Sequence, residues 1–349
     1  MNQKIENVFI ESVAACVPKN KISASFFDDL LDPKELKRFE KTTGIIERRY
    51  ADNNITASDL GYVAAKKILD ERKCSSEIKA LIFLSQTSDY IVPFTSNVLQ
   101  ERLGLSKEIL CLDINAGCAG FVQGLSIAYS LANTLTGKVL LIVSETLSKI
   151  LSKKDRSTSM LFGDAGSAIL ITKGSSTKKD SYFNFFSDGS NADAIMISDG
   201  GYRNPFNKDS LNIKKDSRGN LNNCVQLRMD GSRVFDFTLR EIPSSINELL
   251  KVNSLSKDSV GLFLFHQSNR FIIKQIASQL KIPIEKIPFN IDKFGNTSGV
   301  SIPLLMVTEL DQNKNYNNLL MSGYGAGLNW GNCLVHLSDT FEKYDLIEL

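Results

Sequence analysis

Strand-like and helix-like patterns alternate along this chain, and that alternation restricts the fold more than any other feature of the sequence. Short apolar runs enriched in β-branched and aromatic residues recur at Ala80 to Ser85, Ile109 to Ile114, Val139 to Ser144 and Ser167 to Thr172, and they read as buried strands. Val8 to Val17, just ahead of Pro18, reads as the first strand. Helical patterns lie between: after a cap at Ser58, the apolar residues Leu60, Val63, Ala64 and Ile68 fall on one face. A chain that alternates in this way is α/β. The segment Gly120 to Thr136 is apolar almost all round and closes at Gly137, which predicts a central helix buried on every side.

The plan then repeats. Leu262-Phe-Leu-Phe-His-Gln-Ser268 echoes Leu81-Ile-Phe-Leu-Ser-Gln-Thr87, and Asn332-Cys-Leu-Val-His-Leu337 echoes Ser167-Ala-Ile-Leu-Ile-Thr172. After His266, a cap at Ser268 or Asn269 leads into the stripe Ile273, Ile276, Ala277 and Leu280. The 349 residues exceed the about 250 to 300 that one core supports. The chain therefore divides into an N-terminal half (1–172), a polar connection laid over the site (173–228) and a C-terminal half (229–349).

Charge and cysteine usage narrow the function. Forty-one Lys plus Arg against 39 Asp plus Glu leave +2, too balanced for a protein whose binding rests on neutralising nucleic-acid phosphates. No stretch approaches the roughly 18 uncharged apolar residues of a membrane helix, and the amino terminus has no signal-peptide pattern, so a soluble, cytoplasmic protein is expected. The six cysteines (Cys16, Cys74, Cys111, Cys118, Cys224, Cys333) contain no C-x-x-C pair, and the two histidines are His266 and His336. Neither a disulfide framework nor a metal site is indicated.

One cysteine stands apart. In Asp113-Ile-Asn-Ala-Gly-Cys-Ala-Gly120 a strand ends in small residues and Cys118 opens an apolar helix. A helix amino terminus favours thiolate, lowering a thiol pKa from about 8.5. Position alone supports a small core residue equally well; for the other cysteines the core reading is the better one. A thiolate nucleophile needs proton-handling and oxyanion-stabilising partners. His266 stands at the carboxyl end of its strand, where open α/β sheets place ligands, whereas His336 lies inside a strand and reads as packed. Asn296, in Phe294-Gly-Asn-Thr-Ser-Gly-Val-Ser-Ile-Pro303, offers an amide donor, although the loop alone would read as a turn and cap. In Ser322-Gly-Tyr-Gly-Ala-Gly-Leu-Asn-Trp-Gly331, a glycine loop between strands, the glycines let backbone N–H groups approach a reacting carbonyl. A dinucleotide loop is ruled out because no helix with a later acidic residue follows.

Taken in order, these segments together with Thr43-Gly-Ile-Ile-Glu-Arg48, Leu161-Phe-Gly-Asp-Ala-Gly166, Met229-Asp-Gly-x-x-Val-Phe235 and His266-Gln-Ser-Asn269 resemble the thiolase superfamily, and most closely the β-ketoacyl-acyl-carrier-protein synthase III family, over nearly the whole chain. The resemblance implies duplicated halves in a five-layer α-β-α-β-α sandwich, and a homodimer. It implies decarboxylative Claisen condensation of an acyl starter thioester, held on Cys118, with malonyl-acyl carrier protein. His266 and Asn296 would hold the malonyl thioester oxygen, and the N–H groups of Cys118 and Ala326 would form the acyl oxyanion hole. No metal or organic cofactor is implied; the partners are acyl carrier protein and the two thioesters.

The sequence departs from the family pattern at the nucleotide and acyl sites. Where many members carry a tryptophan and an arginine that sandwich the adenine of coenzyme A, this chain has Arg38 and Thr42, while Arg156 keeps the family's nucleotide arginine. The starter is therefore expected on acyl carrier protein, or on coenzyme A held mainly by charge. In Thr87-Ser-Asp-Tyr-Ile-Val-Pro93, which in the family plugs the partner's acyl pocket, Val92 replaces a frequent phenylalanine. A longer or branched starter follows, unless Tyr90 or Ile91 fills the space. Arg240, Arg270 and Lys274 are candidate carrier-protein contacts, with solvated helix faces the competing reading. Two other functions compete: acyl transfer to an alcohol or amine through the same cysteine, and a non-catalytic subunit of a heteromeric synthase.

Overall fold

The computed structural model describes residues 1–174, 179–216, 219–314, 316 and 318–349. Two sheets face one another. The first runs in the order Leu337–Lys343, Val8–Val17, Ala165–Lys173, Lys138–Glu145, Ile78–Leu84, Leu110–Ile114, with Ile347–Glu348 also pairing Val8–Val17. The second runs Asn2–Glu6, Asp180–Ser187, Asn329–Val335, Leu319–Gly325, Leu262–Phe265. Both read antiparallel, antiparallel, parallel from their inner first strand. The echoed sequences occupy matching places: Ile78–Leu84 lies parallel to Lys138–Glu145 as Leu262–Phe265 lies parallel to Leu319–Gly325.

Packing follows from which faces are apolar. Helices Gly120–Thr134 and Ser301–Glu309 fill the space between the sheets, in a core shared with Ile82, Leu141, Leu264 and Met321. Helix Ala57–Arg72 covers the outer face of the first sheet, and helices Gly231–Val252 and Arg270–Leu280 cover that of the second. Helix, sheet, helix, sheet, helix is the five-layer sandwich of the thiolase fold.

Four details differ from the sequence reading. The outer helix is capped by Thr56, not Ser58, because the Asp59 carboxylate accepts the Thr56 N–H at 2.8 Å; the Ser58 hydroxyl instead donates to Asp89 at 2.5 Å. Leu110–Ile114 is an edge strand with Leu110 47% exposed, so it is not fully buried. The central helix leaves Ile127 37% exposed. Within 173–228, Asp180–Ser187 is a strand at the heart of the second sheet, held by Asn329–Val335 on one side and Asn2–Glu6 on the other. The halves also exchange ends: the amino-terminal strand joins the second sheet, and Leu337–Lys343 joins the first.

Candidate active site

The strand Leu110–Ile114 delivers the chain through Gly117 to Cys118, and helix Gly120–Thr134 starts directly behind it. The glycine run of the second half is what lets the two halves touch here. A Cβ on Gly325 would stand 2.6 Å from Cys118 Cβ and 3.2 Å from Sγ, closer than real contacts allow, so only glycine fits. Gly323 and Gly325 belong to the strand Leu319–Gly325 and Gly331 to the strand Asn329–Val335, so the turn between them is confined to residues 326–328.

His266 follows Leu262–Phe265 directly and is buried, its N–H donating to Ser322 O at 2.9 Å. Its Nδ1 lies 2.7 Å from Ser301 Oγ, and Tyr324 meets the ring edge-on at 5.4 Å. Asn296 is clamped by its backbone to the Leu161–Gly166 motif, donating to Leu161 O at 2.8 Å and accepting from Gly163 N–H at 3.0 Å. Its side-chain oxygen accepts the Ser298 N–H at 2.9 Å, which leaves the amide NH₂ as the free end. Ser298 Oγ lies 3.6 Å from Cys118 Sγ. Cys118, His266 and Asn296 line one cavity of about 280 Å³, whose walls include Phe162, Ile195, Met229, Val234, Phe235 and Ile272.

Burial governs the electrostatics. It pushes the Cys118 thiol up to about 11, against a lowering contribution from the Ser298 hydrogen bond, and the nearby Glu145 adds to the rise. It pushes the His266 imidazole down to about 3, a main-chain hydrogen bond at Ser298 opposing it. Burial thus works against the thiolate expected from the helix terminus and favours a neutral imidazole. Glu145 is itself pushed up to about 8 by burial, against hydrogen bonds from Gln86 N–H, Thr87 and Ser85.

The remaining sequence candidates scatter. Ala326 follows Gly325, half-buried, its carbonyl accepting from Asn329 Nδ2 at 3.1 Å. Arg156 is exposed and 3.6 Å from Glu35, and Arg38 is exposed on the same helix, Pro33–Thr43. Tyr90, Ile91 and Val92 are all exposed, Val92 at 80%, and do not line the cavity in their own chain. Arg270 stacks on Phe289 at 5.3 Å and Arg240 bonds Glu241 at 2.6 Å, while Lys274 is exposed. His336 Nε2–H donates to Asp180 O, 3.0 Å away, as a packed histidine does. Sequence reasoning missed Ser298, Ser301, Tyr324 and Glu145 as neighbours of the reactive groups. The first three lie in motifs already singled out, and their placement around His266 and Cys118 follows from the turn into helix Ser301–Glu309 and from the register of the second sheet.

Duplicated halves meeting over a cysteine in an apolar cavity are the arrangement of thiolase-type acyltransferases. Comparison with known proteins narrows the class. The profile described as 3-oxoacyl-[acyl-carrier-protein (ACP)] synthase III matches residues 112–189, around Cys118, and the one for its C-terminal part matches residues 250–337, which hold His266 and Asn296. A beta-ketoacyl-[acyl-carrier-protein] synthase III of Clostridium perfringens is 34% identical over 95% of this chain and 100% of its own, and one of Fusobacterium nucleatum is 31% identical over 95% and 99%. The crystal structure of a 3-oxoacyl-(acyl-carrier protein) synthase from Burkholderia xenovorans superposes with a TM-score of 0.92 at 35% identity, covering 100% of this chain and 99% of that one. The chain belongs to the 3-oxoacyl-[acyl-carrier-protein] synthase III family and is an acyltransferase. Among the described residues, no helix is long and apolar enough to cross a membrane.

Proposed function

We propose that this protein condenses an acyl starter with malonyl-acyl carrier protein, with loss of carbon dioxide, to give a β-ketoacyl thioester. One observation carries the reading: Cys118, His266 and Asn296 share a cavity, with the Asn296 oxygen already bound and its NH₂ free. His266 is oriented in the same sense. His266 Nδ1 lies 2.7 Å from Ser301 Oγ, which also accepts the Gln267 N–H at 3.3 Å; in this reading the Ser301 hydroxyl donates to Nδ1 and the ring proton sits on Nε2. His266 and Asn296 then offer two donors for one thioester oxygen.

The cycle follows from these groups. Cys118 Sγ attacks the starter thioester; its proton passes to the departing pantetheine thiol, and the N–H groups of Cys118 and Ala326 hold the oxyanion. Malonyl thioester then loses carbon dioxide inside the apolar cavity, and His266 Nε2–H and the Asn296 amide stabilise the enolate oxygen. The enolate carbon attacks the acyl-cysteine, and the expelled Cys118 thiolate regains a proton from solvent. Each donor contributes about 3 to 4 kcal/mol in related sites. No step calls on a metal or an organic cofactor. The intact His266 and Asn296 pair favours condensation over transfer to an alcohol or amine, which needs no enolate stabilisation, and over a non-catalytic subunit.

The same reading gives a homodimer in which residues 87–93 close the partner's acyl pocket: the apolar tip Tyr90, Ile91 and Val92 stands exposed in one chain. A starter on acyl carrier protein, or on coenzyme A held mainly by charge, is supported by Arg38 and Thr42 standing where an adenine-stacking pair would be. The decisive experiment is intact mass spectrometry after exposure to acyl thioesters on both carriers, followed by malonyl-acyl carrier protein. Expected are a single acyl adduct, absent in Cys118→Ala, and its discharge with carbon dioxide release; an adduct that survives in Cys118→Ala overturns the reading.

A further inference from the structure

Glu145 is a fully buried carboxyl that the chemistry above does not use. It ends the central strand Lys138–Glu145 and reaches across to the chain leaving the neighbouring strand Ile78–Leu84. Its oxygens accept from the Gln86 N–H at 3.1 and 3.2 Å, from the Thr87 hydroxyl at 2.8 Å and from the Ser85 hydroxyl at 3.3 Å. Thr87 Oγ1 in turn accepts the Thr146 N–H at 2.9 Å, closing the link back to the same strand end. A burial of this kind costs several kcal/mol unless its partners are fixed, so residues 85–87 are held at one height above the sheet.

Two functional segments take their position from that clamp. On one side, the Gln86 side chain lies flat on Gly117, immediately before the nucleophile: a Cβ on Gly117 would stand 2.1 Å from Gln86 Oε1. On the other, residues 85–87 launch the loop whose tip is Tyr90, Ile91 and Val92. Beyond Thr87 the loop is tied again at Asp89, by the Ser58 hydroxyl at 2.5 Å, and where it ends, by the Thr95 and Ser96 N–H groups donating to Asp113 at 2.6 and 2.9 Å. Between these ties the apolar tip Tyr90, Ile91 and Val92 is exposed.

We infer that Glu145 is a positioning residue that fixes the take-off of the loop closing the acyl pocket of the second copy in the dimer, and so sets which acyl chain lengths the Cys118 of that copy accepts. The inference rests on the reading of residues 87–93 as the acyl-pocket loop. A pocket wall displaced by the length of one methylene changes discrimination by about 10- to 200-fold, so a clamp on the loop's take-off controls selectivity more strongly than the bond-making step.

The test measures acyl transfer to Cys118 by intact mass with acetyl, butyryl, hexanoyl and octanoyl thioesters, in the wild type and in Glu145→Ala, Thr87→Val and Thr87→Ser. Glu145→Ala removes the clamp; Thr87→Val keeps the shape and removes the hydroxyl, and so serves if the alanine variant does not fold; Thr87→Ser restores the hydroxyl. In Glu145→Ala and Thr87→Val the ratio between best and worst chain should narrow about tenfold, with Thr87→Ser keeping the wild-type ratio. In Thr87→Val and Thr87→Ser, which leave Glu145 in place, alkylation of Cys118 by iodoacetamide, too small to sense the pocket wall, should stay within about threefold of wild type. A uniform fall at every chain length, or an unaltered ratio in folded variants, overturns the inference. Absence of any acyl adduct in the wild type would instead sink the condensation reading.

Discussion

The carboxyl ends of two matching strand pairs, one in each half, have been put to different uses. In the first half, Glu145 ends one strand and holds Ser85, Gln86 and Thr87 after its neighbour. In the second, the parallel register places Tyr324 where Glu145 stands, and its hydroxyl lies 3.0 Å from Ser268 Oγ, the counterpart of Thr87. The cross-strand tie is thus duplicated, but what it supports differs. Ser85 in the first half corresponds to His266 in the second: the first end is a scaffold for a loop that projects outward, and the second presents an imidazole inward. Duplication supplied the geometry twice, and the chemistry was written into one copy, with the thiol contributed across the junction by the other.

That division can be broken most directly at the chemical end. His266→Ala and Asn296→Ala should each lower condensation by about 100- to 1000-fold, the cost of removing one oxyanion donor, while transfer of the starter to Cys118 falls by less than about tenfold. Radiolabelled carbon dioxide release and adduct mass measure the two steps separately. Equal loss in both would mean that the second-half groups activate the thiol rather than the malonyl thioester.

The thiol side is sharpened by pH. With burial holding Cys118 up at about 11, thiolate is a minor species throughout the neutral range. The alkylation rate with iodoacetamide should therefore climb about tenfold per pH unit from pH 7 to 9 without levelling. A plateau near pH 7 would restore the helix terminus as the dominant influence. Ser301→Ala gives the next smaller effect: losing the bond to His266 Nδ1 frees the tautomer and should cut condensation by about 2- to 13-fold, the worth of one hydrogen bond.

How far the sequence carried these conclusions depended on whether function and burial pointed the same way. Val8–Val17 was legible to the residue because every side chain in it is buried. Asp180–Ser187 was not, because Ser181 and Asn184 interrupt its apolar pattern; both are buried, and Asn184 bonds Ser245 O and Asn332 inside the sheet. The three candidate residues, Cys118, His266 and Asn296, stood out through small-residue turns and strand ends, features of local chain geometry. Glu145 and Ser301 did not, since a glutamate ending a strand reads as solvated and a serine opening a helix reads as a cap. Their significance lies in contacts across 58 to 60 residues for Glu145 and 35 for Ser301. The thiol pKa is subject to a related division: the helix terminus that lowers it is visible in sequence, whereas the burial that raises it comes partly from the other half, where Gly325 lies against Cys118.

The smallest effect tests the duplication itself. Tyr324→Phe removes the hydroxyl that meets Ser268 and also approaches His266 O at 3.4 Å, but leaves the ring packed edge-on to the imidazole and leaves Ser301 on Nδ1. It should cost about 1 kcal/mol of stability, a fall in Tm of no more than about 2 to 4 °C, with condensation within about fivefold of wild type and chain-length preference unchanged. Thr87→Val, the matching deletion in the first half, removes a comparable bond yet should shift that preference. If the two variants behave alike, both ties are merely structural; if they diverge as argued, equivalent hydrogen bonds in the two repeats have acquired separate roles because only one of them sits at the root of a loop.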